Sequence, residues 1–277
     1  MASQHWPLIV IITATTGRKT LGDTISSVQN QTYPHIKHII VCDGEVHQER
    51  TENIIKSQKY IPLRHNIEQL TIPWQTGLNK WVCHRIYAAL PHLIVEENVY
   101  ISFLDEDNYI EADHYALLYA AVGENNADWA YSLRKIVSQE GDFITYDMCE
   151  SIGFLSKTSL VRWYEVTDEY KDQVKEYDPS YYLVDTNCYL IKKSIAQKIA
   201  HRWQYPARHD PEADRLIFEE LNTNYKGVCS MHYTLNYRVD SRTDSAIAEF
   251  YTLGNDYMNT LYNKEIPWRP KKINNAL

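Results

Sequence analysis

Glycine is scarce, at 9 of 277 residues, and no glycine-rich stretch occurs anywhere in the chain. Gly17 is the only glycine in the turn that follows the first strand-like run. That turn therefore has neither the G-x-G-x-x-G spacing of a dinucleotide site nor the G-K-[ST] end of a P-loop. Long apolar runs are also missing, and nothing approaches the stretch of about 18 apolar residues that a membrane-spanning helix requires. The first residues, Met1–Pro7, lack a basic region and the apolar run Leu8–Ile12 is too short for a secretory signal, so a cytoplasmic protein is expected. There is no excess of positive charge: 28 Lys and Arg stand against 36 Asp and Glu, a formal charge of −8. A protein built to grip nucleic-acid phosphates needs a basic footprint, so that class is excluded, although a local basic pocket is not. The five cysteines (Cys42, Cys83, Cys149, Cys188, Cys229) are odd in number, widely spaced and without a C-x-x-C pair. Such a set suits free thiols in a reducing compartment better than a disulfide framework or a zinc site.

What remains is an ordinary globular composition, 44% hydrophobic and 23% charged, in a chain of the length of one large domain or a domain with an extension. Tyrosine is abundant, at 22 residues. Its flat ring with a polar tip suits the face of a sugar, and equally suits half-buried packing.

The first third alternates between strand and helix signals. Pro7–Ile12 is a β-branched run of the kind buried on both faces of a parallel sheet. Leu21, Ile25 and Val28 recur at helical spacing over Leu21–Gln29. Ile36–Cys42 reads as a second strand, Glu49–Ser57 as a helix, Leu70–Pro73 as a short third strand and Asn79–Leu90 as a helix. Val99–Leu104 reads as a fourth strand. This alternation implies an α/β fold, a mainly parallel sheet with helices on both faces. The second half is less regular: a helix over His114–Val122, a strand over Ala127–Val137, and a Tyr-rich helical or irregular insertion over Leu160–Tyr177. A strand over Tyr182–Lys192 then leads into a helix over Ser194–His201, with a short helix over Asp214–Leu221 and a late strand over Cys229–Val239. The tail after Pro267, with Arg269, Lys271 and Lys272, is expected on the surface, where three charges give weak attraction to anionic lipid.

Ligands of open α/β sheets bind beyond the carboxyl ends of the strands. Three features fall there: the turn Thr13-Ala-Thr-Thr-Gly-Arg18, Asp43-Gly44, and Asp105-Glu-Asp107. Without a glycine-rich loop, a phosphate group needs another source of positive charge. Mg²⁺ or Mn²⁺, held by one or two carboxylates together with phosphate oxygens, supplies it, and the Asp105/Asp107 pair offers those carboxylates. An acidic cluster directly after an apolar strand is costly unless a cation accompanies it.

In order and spacing these elements resemble family 2 glycosyltransferases of the GT-A fold. The resemblance runs through the Thr-containing turn, Ser27-Val-Gln-Asn-Gln-Thr-Tyr-Pro34, Val41-Cys-Asp43-Gly44, the basic residue in His84-Arg85 and Phe103-Leu-Asp-Glu-Asp107. It covers residues 7 to about 115. A weaker likeness continues through Asp185–Lys193 and Ala213–Leu221. The resemblance implies a Rossmann-like sheet, with residues 1–115 as the nucleotide-sugar half, 116–265 as the acceptor half and 266–277 as a tail.

It further implies that Thr13, Ala14 and Thr15 hold the base and ribose, largely through backbone groups. Asp43 would accept a hydrogen bond from the base, and Arg18 and Arg85 would face the base or diphosphate. Asp105 would contact the ribose or the metal, Glu106 would lie in the nucleotide-sugar site, and Asp107 would ligate the metal. His232 resembles the C-terminal histidine that completes the metal shell in some GT-A enzymes. Where the family usually has Glu-Asp this chain has Ala213-Asp214, so Asp214 is the candidate general base, with Asp210 as its rival.

The expected chemistry is metal-assisted transfer of a sugar, with inversion, from a nucleotide-sugar donor, a UDP-sugar being favoured. The expected acceptor is a glycan or lipid-linked glycan hydroxyl. Two alternatives stay open. A nucleotidyltransferase shares the architecture but usually shows a Gly-rich signature turn, and a non-catalytic nucleotide- or sugar-binding protein would account for the missing glutamate at Ala213.

Overall fold

A computed structural model describes residues 6–58, 63–77, 83–155, 183–204, 213–239 and 248–270. The first strand, β1 (Ile9–Thr15), is buried at every position because β2 (Ile36–Asp43) and β4 (Tyr100–Phe103) pair with it on either side, both in parallel. β3 (Asn66–Ile72) adds in parallel to β2 and forms one edge of the sheet. It begins four residues before the expected third strand. As an edge strand it carries the polar residues Asn66, Glu68 and Gln69, which mask it in an apolar-run reading.

Helices α1 (Leu21–Gln29) and α2 (Gln48–Ser57) cover one face of this half, where Leu21 and Ile25 meet Ile40, Ile54, Ile55 and Ile67. Ile39 and Val41, the neighbours of Ile40, belong instead to the large core on the other face, as the two-residue period of a strand requires. Helix α3 (His84–Leu93) joins that larger core. It runs three residues past the expected end and accommodates Pro91, whose carbonyl accepts from the Gln197 side-chain amide at 3.0 Å.

In the second half the sheet continues through β8 (Tyr189–Lys192), β6 (Trp129–Val137) and β9 (Gly227–Arg238) to β5 (Tyr109–Ile110), with β7 (Phe143–Tyr146) hairpinned onto β6. β8 is antiparallel to both β4 and β6, and β9 is parallel to β6. The carboxyl ends of β1, β2, β4, β6 and β9 therefore share one edge of a continuous sheet. α4 (His114–Asn125), α5 (Lys193–Ile199), α6 (Ala213–Asn224) and α7 (Ala248–Leu261) complete the set. No helix among the described residues is long and apolar enough to cross a membrane.

Three expectations differ from what is found. The strand expected over Tyr182–Lys192 is only β8; before it the chain turns tightly over Thr186–Cys188, because the Asp185 side chain accepts from the Asn187 amide at 2.9 Å and caps that turn. α7 was not anticipated. The start of the expected surface tail is docked: Trp268 is 2% exposed, donates its indole N–H to the Met148 carbonyl at 3.1 Å, and its own carbonyl accepts from the Tyr233 hydroxyl at 3.0 Å. Lys271, Lys272, the Leu160–Tyr177 insertion and the rival base Asp210 lie outside the described residues.

Candidate active site

The turn after β1 is held by the middle residue of Asp105-Glu106-Asp107. Glu106, 8% exposed, accepts at Oε1 from the Thr16 amide at 3.1 Å and the Thr16 hydroxyl at 3.0 Å. Its Oε2 accepts from the Thr15 hydroxyl at 2.5 Å and the Arg18 amide at 2.8 Å. A carboxylate has about four lone-pair positions, and all four are used here. The Glu106 carboxylate is thus spent on shaping the turn and has no free acceptor for a ligand. The Gly17 amide closes the loop by donating to Thr15 Oγ1 at 2.8 Å, and Gly17 itself adopts a positive φ of 75°.

Thr13 and Ala14 are buried within β1. Thr13 Oγ1 lies 2.8 Å from Nε2 of the equally buried His38, and burial drives that imidazole down to about 3, keeping it neutral. The side chain of Thr13 therefore faces the core. Asp43, at the end of β2 and fully buried, accepts from the Thr76 amide at 2.7 Å and the Gly77 amide at 3.3 Å, so it also anchors the segment after β3. Arg85, exposed in the first turn of α3, donates to the carbonyl of the same Thr76.

The two aspartates flanking Glu106 point elsewhere. Asp105 accepts from the Tyr87 hydroxyl at 2.6 Å on Oδ1 and from the Asn187 side-chain amide at 2.9 Å on Oδ2. Burial, then the neighbouring charge of Asp107, push its carboxyl up to about 7 against the pull of those two donors. Burial also raises Asp107, and its closest counter-charge is Arg18, with Nη1 2.5 Å from Oδ2. Asp214, in the first turn of α6, accepts from the Thr186 hydroxyl. Burial, then the charge of Asp185, hold it up at about 7.

Cys83, which precedes α3, ties these groups together. Burial first, then the fields of Asp105, Asp214 and Asp107, push its thiol well above the ordinary range. Of the three carboxylates, Asp105 and Asp214 are linked through one turn, Asn187 donating to the first and its neighbour Thr186 to the second.

Two of them have the chemistry for a hard divalent cation. Each oxygen of Asp105 accepts a single hydrogen bond and Asp107 Oδ2 accepts from Arg18, so both carboxylates retain lone pairs, and two half-buried like-charged acids with raised pKa values are a natural home for positive charge. His232 does not join them. It is exposed on a bulge of β9 next to Met231, whose φ is +61°, six residues before Arg238. At about 3.3 Å per residue that is about 20 Å upstream of the end of β9 that meets the cleft, where Arg238 donates to the Asp107 carbonyl at 3.0 Å. No group of three or more His, Cys, Asp or Glu side chains among the described residues forms a metal shell.

A charged centre that the sequence reading missed lies behind the cleft. Arg134 of β6, 2% exposed, donates through Nε to Asp147 at 2.7 Å, through Nη1 to Asp185 at 2.6 Å, and through Nη2 to Glu150 and to the Tyr251 hydroxyl at 3.2 Å. Its guanidinium lies 4.3 Å from the centre of the Tyr237 ring. The only hint in the sequence was an arginine inside an apolar strand pattern. Its partners come from three distant segments that no local pattern links.

A family model described as Glycosyl transferase family 2 matches residues 9–198. Among solved structures, S. aureus TarS residues 1–349 in complex with UDP aligns at 14% identity and a TM-score of 0.56, covering 93% of this chain and 72% of that one. The complex of the same TarS fragment with UDP-GlcNAc aligns at 15% identity and a TM-score of 0.57, covering 94% and 67%. S. aureus TarS without that truncation aligns at 14% identity and a TM-score of 0.56, and this chain spans 43% of it. No curated protein sequence matches the chain.

Proposed function

The chain belongs to glycosyl transferase family 2, with the GT-A fold, and from that premise we propose that it transfers a sugar, with inversion, from a UDP-sugar to a hydroxyl of a glycan or glycolipid. The observation that carries this reading is that one turn holds both acids: Thr186 donates to Asp214 of α6, and its neighbour Asn187 donates to Asp105, two residues before Asp107. One end of the cleft then offers paired carboxylates for a donor, and the other offers a lone base for an acceptor. The UDP and UDP-GlcNAc in the TarS complexes support a uridine diphosphate donor.

Asp105 and Asp107 would hold a divalent cation, Mn²⁺ or Mg²⁺, which when bound offsets the charge developing on the leaving diphosphate. Glu106 fixes the path of the turn over residues 15–18 that would line the nucleotide site, and Asp43 holds the segment at Thr76. Arg18, already beside Asp107, is within reach of a diphosphate lying across the turn. Asp214 takes the proton from the acceptor hydroxyl as it attacks, a role worth about 10²–10⁴ in rate. Ala213, immediately before it, is buried and carries no acid of its own.

Incubation with a panel of UDP-sugars and Mn²⁺, with UDP release measured in the presence and absence of acceptor, tests the reading. Asp107→Ala is expected to abolish metal-dependent donor turnover, and Asp214→Asn to bind donor yet lose transfer. A protein that binds UDP but releases none from any donor is a binding protein, not a transferase.

A further inference from the structure

Three consecutive residues, Asp185, Thr186 and Asn187, each grip a different charged group from a different part of the fold. Asp185 accepts from Arg134 on β6 at 2.6 Å. Thr186 donates its hydroxyl to Asp214 on α6. Asn187 donates to Asp105 at 2.9 Å, and its side-chain carbonyl accepts from the Asp105 amide at 2.5 Å. The turn itself is rigid. The Asn187 side-chain amide also reaches back to Asp185 Oδ1 at 2.7 Å, and the Asp185 amide donates to Ser151 Oγ at 2.7 Å. All three residues are buried.

A buried guanidinium surrounded by Asp147, Asp185 and Glu150 is a poor device for stability, because desolvation offsets the attraction of its partners. Its geometric effect is definite: it fixes Asp185, and through Asp185 the two residues that hold the donor-side and acceptor-side carboxylates. A displacement of about 1 Å in a reacting group costs about a hundredfold in rate, so a single rigid turn setting both groups has a direct kinetic consequence.

We propose that the Asp185–Thr186–Asn187 turn, anchored on Arg134, is the positioning element of the transfer reaction, with Thr186 aiming Asp214 at the acceptor hydroxyl and Asn187 aiming Asp105 at the donor. This rests on the reading of Asp214 as the base. Thr186 and Asn187 touch no reacting atom and act through the carboxylates they hold.

The test compares Thr186→Val, Thr186→Ser and Asn187→Ala for kcat, the KM values of donor and acceptor, and UDP affinity by calorimetry. Thr186→Val is expected to lower transfer kcat by at least about tenfold, with donor KM and UDP affinity within about twofold of wild type, and Thr186→Ser to restore the rate. Asn187→Ala is expected to weaken UDP binding and raise donor KM. Equal losses in the Val and Ser variants, an unchanged kcat in Thr186→Val, or a parallel loss of UDP affinity there would each overturn the proposal.

Should Thr186→Val fail to fold, Thr186→Ala serves the same comparison, and the Ser variant still has to match wild type. The Asp214→Asn background separates this idea from the one beneath it. If Asp214→Asn retains transfer, the base assignment fails. If Asp214→Asn loses transfer while Thr186→Val keeps it, only the positioning role fails.

Discussion

Glu106→Ala separates the middle acid of the Asp105–Asp107 motif from its neighbours. The substitution removes the acceptor for four donors at once: the Thr15 and Thr16 hydroxyls and the Thr16 and Arg18 amides. A hydrogen bond to a charged acceptor contributes about 1.5–3 kcal/mol, and water entering the truncated site rescues the more exposed donors. Counting only the Thr15 hydroxyl and the Arg18 amide at the lower figure gives a loss of about 3 kcal/mol. For a chain of this size that is a drop of about 6–12 °C in Tm. Because the same donors shape the turn that presents backbone to the nucleotide, UDP affinity should fall as well. Asp107→Ala, which removes an ion pair with a half-exposed Arg18, should melt within about 2 °C of wild type while losing donor turnover. Thermal unfolding of the two variants side by side, followed by UDP calorimetry, decides the matter. If Glu106→Ala melts like wild type and binds UDP equally well, the clamp is not what holds the turn, and the assignment of Glu106 is wrong.

Asp214 gives a pH signature with a definite sign. Its folded pKa of about 7 lies above the unfolded value of 3.8, so the folded state binds the extra proton between those limits and stability contributed at this site falls as pH rises across that window. In metal-free protein the Tm of Asp214→Asn relative to wild type should therefore climb from pH 4 to pH 7, and a flat difference would show that the acid is ionised like an exposed one. Arg134→Met leaves Asp147, Asp185 and Glu150 facing one another and should cost about 3–5 kcal/mol in urea unfolding; a loss under about 1 kcal/mol would mean the three acids protonate or rearrange freely. Trp268→Ala should cost about 3–5 kcal/mol in the same assay, whereas a surface tail would tolerate it.

The first half of the chain was legible because its signals are local. Ile9–Ile12 and Ile39–Val41 are apolar runs that a doubly covered strand buries, and the second is followed at the end of β2 by Asp43. Asp43, Asp105 and Asp107 could be picked out for the same reason: chain order alone places them at strand ends. Asp214 was picked out through the family resemblance at Ala213-Asp214, with Asp210 as its rival.

What the sequence could not reveal is how neighbouring acids divide their work. Glu106 looks like its flanking aspartates, yet in the turn after β4 it alone reaches the loop after β1, while Asp105 meets Tyr87 and Asn187 and Asp107 meets Arg18, and only the pairing of β1 with β4 brings its four donors to it. His232 reads as a candidate ligand until the bulge and register of β9 fix its distance from the edge. Arg134 and the turn at Asp185 were invisible as a unit, because their partners are separated by 13 to 117 residues and a buried charge is tolerated only where folding delivers all of them together. Local patterning thus determined the strands, their ends and the acids stationed there, while hydrogen bonds between distant segments decided that Glu106 shapes the first turn and that one turn holds both Asp105 and Asp214.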